Sequence, residues 1–218
     1  MSKIIPTLLA TSEKKYKEDL DKVLSSEELA NGWVQIDIMD NKFVPNLSVG
    51  LDVIGKYPFD SKKEAHLMVQ EPQDWIEGLA NLQFARIIFP LEVGNTLDLI
   101  DKVKEYSLQV GVALNPETPV DKVLPFIDKI DVVLIMAVHP GFQGEEFIVE
   151  ALGKVKELFQ KRIEKGLSYE IEVDGGIHPG IAKELEEAGV DGLAVGSKLF
   201  NGNIQENLEK FKQALQES

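Results

Sequence analysis

The sequence predicts an α/β protein, a single (β/α)8 barrel over residues 1–218, and three observations predict it. Eight short runs of apolar, largely β-branched residues recur along the chain, the pattern of parallel strands buried on both faces. Stretches with apolar residues at helical spacing separate most of them. No low-complexity linker or shift in composition divides the 218 residues, so eight βα units favour one barrel domain. An open doubly wound sheet would normally carry a Gly-rich phosphate turn. Neither GxGxxG nor GxxxxGK followed by Ser or Thr occurs.

In chain order, the strands are expected at 4–9, 34–39, 64–69, 86–89, 110–114, 132–138, 170–174 and 192–195. Helices are expected at 15–24, 97–106, 120–127, 147–165, 181–188 and 204–215, where charges alternate with an apolar stripe. Asn95, Thr118 and Pro179 stand where helices should start, and Gly166, Gly189 and Gly192 where helices should stop.

Composition narrows the function. With 23 basic and 37 acidic residues the net charge is −14, which argues against nucleic acid and anionic membrane surfaces as partners. There are no cysteines, so disulfides, thiolate metal sites and Cys nucleophiles are excluded. The apolar run at the start is too short for a signal peptide, and no window approaches the ~18 apolar residues of a membrane span. A soluble cytoplasmic protein is expected.

In such barrels, chemistry sits at the C-terminal ends of the strands. Side chains alternate along a strand, so in the second strand Gln35, Asp37 and Met39 share one face and Val34, Ile36 and Ile38 the other. The apolar set belongs against the helices, which turns the polar set into the barrel. Glu64, His66 and Met68 have the same parity on the third strand, and Asp174 ends the seventh. Carboxylates brought out of water together need a cation, donors or a proton. A divalent metal held by Asp37, His66 and Asp174, with Gln35 as a fourth ligand, would meet that need. Glu64 and Glu172 also point inward, and Arg86 is a candidate partner for one of them.

Three glycine-bearing segments follow the sixth, seventh and eighth strands: Pro140-Gly141-Phe142-Gln143-Gly144, Asp174-Gly175-Gly176 and Gly196-Ser197. Glycines let backbone N–H groups approach an anion, and the last two loops are the usual phosphate cradle of this fold. Together the three predict a phosphate-bearing ligand. Lys198 could add a positive charge beside it.

The chain resembles the ribulose-phosphate 3-epimerases over nearly its whole length. The resemblance is carried, in order, by Ile5-Pro-Thr-Leu-Leu9, Ile36-Asp-Ile-Met-Asp40, Phe43-Val-Pro-Asn46, His66-Leu-Met-Val69, Val112-Ala-Leu-Asn-Pro116, Leu134-Ile-Met-Ala-Val138, Pro140-Gly-Phe142, Glu172-Val-Asp-Gly-Gly176 and Gly196-Ser197. It implies a TIM barrel of the ribulose-phosphate-binding type and metal-dependent epimerisation at C3 of a ketose phosphate. Asp37 and Asp174 match the acid–base pair, and Met39, Met68 and Met136 match a sulfur-rich lining. Thr7 keeps the hydroxyl of a family serine, and His66 is both ligand and substrate neighbour. The expected cofactor is one divalent ion, Zn, Mn, Fe or Mg. The expected partner is a small-molecule sugar phosphate, either D-ribulose 5-phosphate or a ketohexose 6-phosphate, and a homo-oligomer is expected.

Departures gather at the pocket. Gln35 replaces a metal-ligand histidine, which favours harder ions than zinc. Gln143 replaces a glycine, and Glu145 brings a negative charge to the phosphate loop. A barrel that binds sugar phosphate without turning it over is the alternative expectation. A decarboxylase or aldolase is not expected, because Asp-x-Lys-x-x-Asp is missing from the third strand.

Overall fold

The computed structural model describes residues 1–142 and 144–216. Eight parallel strands close in chain order: β1 (Lys3–Leu8), β2 (Trp33–Met39), β3 (Lys62–Met68), β4 (Arg86–Pro90), β5 (Gln109–Leu114), β6 (Val132–Met136), β7 (Glu170–Asp174) and β8 (Gly192–Val195). Helices α1 (Glu13–Leu24) and α2 (Glu27–Ala30) follow β1, α3 (Leu51–Lys56) follows β2, α4 (Ile76–Asn81) follows β3, and α5 (Thr96–Glu105) follows β4. Beyond β6 come α6 (Ala151–Lys165), α7 (Pro179–Ala188), α8 (Ser197–Phe200) and α9 (Ile204–Gln216). This is the (β/α)8 barrel the apolar runs predict. No helix among the described residues is long and apolar enough to cross a membrane.

Four local expectations are corrected. The stretch 120–127 forms two 3-10 turns, Val120–Lys122 and Leu124–Phe126, because Pro125 has no N–H to continue an α-helix. Thr118 accordingly starts no α-helix. Its N–H closes a turn on Asn115 O, at 3.0 Å. The helix expected from 147 begins at Ala151, since the Ile148 N–H reaches across to Ala137 O at 2.8 Å. Gly192 stops no helix but opens β8; the left-handed stop of α7 is Gly189, with φ 104°.

Alternation sorts the strand residues as the period of two requires. Val34, Ile36, Ile38, Leu67, Val173 and Leu193 face outward and merge with the helices' apolar stripes in the main core. The interior is divided. Ile88, Ala113, Val132, Leu134 and Met136, from β4 to β6, make one apolar cluster with Val138 just beyond β6. Gly111 admits two of them: a Cβ there would come within 2.4 Å of Val132 Cγ1 and 2.8 Å of Ile88 Cγ1. The opposite half, from β1 to β3 and β7, is polar.

Its lower layer is built around Arg86, which is 1% exposed. Arg86 Nη1 donates to Glu64 at 3.0 Å and to Glu172 at 2.6 Å, and Nη2 donates to half-buried Glu170 at 2.8 Å. The guanidinium carbon lies 4.2 Å from the Trp33 ring centroid. Arg86 thus pairs with both inward glutamates, not one. Gly192 makes the room, because a Cβ there would lie 2.9 Å from Glu172 Cγ. Burial raises the Glu64 carboxyl well above its ordinary range, aided by the Glu172 charge and opposed by Arg86.

Removing the guanidinium strands two interior carboxylates. Arg86→Leu is expected to destabilise the fold by about 3–5 kcal/mol, read as a lowered urea midpoint with the slope unchanged.

Candidate active site

Above the Arg86 layer, strand pairing sets four polar side chains in place. Gln35 and Asp37 lie two apart on β2, Asp37 pairs with His66 on β3, and Asp174 ends β7 opposite Met136. Gln35 is 0% exposed, His66 1%, Asp37 5% and Asp174 9%. Gln35 Nε2 donates to Asp37 Oδ1 at 2.9 Å and to Asp174 Oδ2 at 2.7 Å. His66 Nδ1 stands 3.2 Å from Asp37 Oδ1 and 3.6 Å from Asp174 Oδ2. One imidazole nitrogen and one oxygen from each carboxylate lie within 4.8 Å of one another.

This set could hold a divalent cation. Two carboxylates and an imidazole are donors suited to such an ion, and the buried Gln35 Oε1 has no partner. Gln35, expected as a fourth ligand, joins the group through its nitrogen; its oxygen faces away from the carboxylates' bonds.

Burial is the largest influence on Asp37. With the Asp174 charge it raises the carboxyl to about 6, against partial relief from His66 and Gln35. Burial alone would lower His66. Hydrogen bonds to Asp174 and Asp37, together with their charges, outweigh it and raise the imidazole to about 9.

A cavity of about 280 Å³ opens above these groups. Thr7, Asp37, Met68, Met136, Gly141, Phe142, Gly144, Asp174, Gly175, Gly176, Gly196 and Ser197 line it. Gln143 lies outside the described residues. His66 and Gln35 sit behind Asp37 and do not reach the wall. Met39, expected on it, packs instead with Val44 and Met68 under the loop after β2. Pro140 also lines the wall, as do Leu9, Val138, Ile177, Ala194 and Asn201, which were not assigned to the site from the sequence. Ala194 had a signal, since its β8 parity matches that of inward Gly192.

The glycines earn their places sterically. Gly175 has φ +110°, and a Cβ there would lie 2.4 Å from Val138; Gly176 has φ +64°, and its Cβ would lie 2.4 Å from Phe147 N. Gly141 has φ +114° with Val44 3.1 Å from the Cβ position. Its carbonyl accepts from Asn46 Nδ2 at 2.6 Å, tying the β6 loop to the β2 loop. Lys198 and Glu145 also line the cavity, and Lys198 is the one cationic side chain there among the described residues.

The model of the ribulose-phosphate 3 epimerase family matches residues 3–200. Among curated relatives, ribulose-phosphate 3-epimerase of Treponema pallidum is 39% identical, covering 82% of this chain and 83% of the relative. The cytoplasmic isoform from rice (Oryza sativa subsp. japonica) is 35% identical, covering 91% and 87%. The Escherichia coli K12 protein is 32% identical, covering 91% and 88%. Solved structures share the fold alone: KGPDC from Streptococcus mutans superposes with TM-score 0.72 at 14% identity over 99% of this chain and 97% of that one. A 3-hexulose-6-phosphate synthase gives 0.70 at 12% identity over 98% and 99%.

The raised imidazole has a consequence for stability. His66 rises from 6.5 to about 9 in the cation-free protein, so its contribution is complete below 6.5 and is lost as pH rises through 9. The thermal midpoint of chelator-stripped protein is expected to fall across that window, and His66→Gln should flatten the fall.

Proposed function

The chain belongs to the ribulose-phosphate 3-epimerase family of isomerases, and from that premise we propose that it epimerises C3 of D-ribulose 5-phosphate, giving D-xylulose 5-phosphate. One observation carries the reading: two carboxylates, Asp37 on β2 and Asp174 on β7, meet at one cavity floor with an amide and an imidazole between them. A proton at C3 is removed by one carboxylate, leaving an enediolate. The other, in its acid form, returns a proton to the opposite face, so the substrate gains and loses one proton and the configuration inverts.

Asp37, His66 and Asp174 would hold a divalent ion, which supplies positive charge to the developing oxyanion when bound. Met68 and Met136 keep water from the reacting carbon. The backbone of Gly175, Gly176, Gly196 and Ser197 receives the 5-phosphate, with Lys198 as the one side-chain cation there among the described residues and Glu145 as an opposing charge. The cavity of about 280 Å³ suits a pentulose phosphate.

Turnover of ribulose 5-phosphate in the presence of Mn²⁺, Zn²⁺ or Mg²⁺, with solvent deuterium entering at C3, tests the reaction. Absence of both with every ion would leave a barrel that binds without converting. Asp174→Asn should abolish deuterium entry while the circular dichroism spectrum stays unchanged.

The charges at the phosphate end act in opposite senses. Lys198→Ala should raise KM about ten-fold with little change in kcat, and Glu145→Gln should lower KM; a charge interaction of about 1.4 kcal/mol corresponds to that factor.

A further inference from the structure

Gln35 is held in an arrangement that satisfies one end of its amide and leaves the other without a partner. Its NH2 group gives one N–H to Asp37 and one to Asp174, at 2.9 and 2.7 Å. Its oxygen is buried with no donor. Two more orphaned oxygens lie on the strands to either side: Thr7 Oγ1 and Glu64 Oε1. Thr7 on β1 pairs with Gln35, and Gln35 pairs with Glu64 on β3, so the three side chains form one inward row. A row in which three neighbouring buried oxygens, one of them a hydroxyl, all lack a partner is an unusual arrangement for a buried site.

We infer that Gln35 is a positioning residue with two settings, and that its amide turns over when a divalent cation binds, passing its NH2 to Glu64 and Thr7 and presenting its oxygen to the cation. This rests on the reading that the cation sits among Asp37, His66 and Asp174. Without the ion, the two N–H groups stand beside the His66 imidazole between the carboxylates. A bound ion would face those same N–H groups, which repel it. A half-turn of the amide exchanges nitrogen and oxygen in nearly the same volume. It also gives the two orphaned acceptors a donor. Glu64 is a fixed receiver, because its other oxygen is anchored by Arg86 Nη1 at 3.0 Å.

The test uses the full-length, chelator-stripped protein titrated with Zn²⁺. Calorimetry gives the affinity, and nuclear magnetic resonance follows the Gln35 side-chain NH2 pair, assigned by its loss in Gln35→Met. On saturation, Overhauser contacts from that NH2 to the Glu64 methylenes and the Thr7 methyl should appear, and Gln35→Met should bind zinc roughly ten-fold more weakly. Zinc binding with the NH2 contacts unchanged overturns the two-setting inference and leaves the cation site standing. Binding of neither Zn²⁺ nor Mg²⁺ in parallel titrations overturns both.

Discussion

Two acids brought together out of water cannot both keep their charge unless something positive or donating stands between them. Asp37 and Asp174 meet that condition through one amide and one imidazole, and the rest of the barrel's polar half is arranged around it. The same solution appears one layer down, where Arg86 lies between Glu64 and Glu172. Each layer is a cluster of carboxylates reconciled by groups placed between them, one guanidinium below and an amide with an imidazole above. Arg86 is a fixed cation on a long, stacked side chain. Gln35 is neutral, and it leaves the place of a cation to be filled from outside.

Dividing the interior into an apolar side and a polar side makes this affordable. Ile88, Val132, Leu134 and their neighbours fill one half densely, so only one arc of strands must accommodate charge. The cavity opens over that arc, with glycines whose backbone conformations exclude larger residues. A chain of net charge −14 offers an anionic ligand no long-range attraction. On the proposed reading, short-range backbone donors and Lys198 would supply the attraction.

The strands and their facing were legible because a period of two leaves little choice: once Val34, Ile36 and Ile38 go outward, Gln35 and Asp37 must go in. The meeting of β2, β3 and β7 at one point followed from that parity together with closure. What lay beyond reach depended on distance across the barrel or on loops. Arg86 was placed inward, but whether it reached β3, β7 or both is decided by the bore of the closed cylinder. Met39 has the right parity and is nonetheless off the wall, because the following loop folds back over it with Val44. The direction of the Gln35 amide has no sequence signal, since the group carries donors and an acceptor in almost the same outline. Pro125, by contrast, was visible and marks where helical spacing is overruled by a missing N–H.

The bond from Asn46 to the carbonyl of Gly141 joins two stretches almost a hundred positions apart into one roof. Neither half can lengthen, shorten or swing alone without dragging the other. The mouth of the vessel is therefore bounded by two leaves fastened to each other, by this bond and by the seat of Gly141 against Val44.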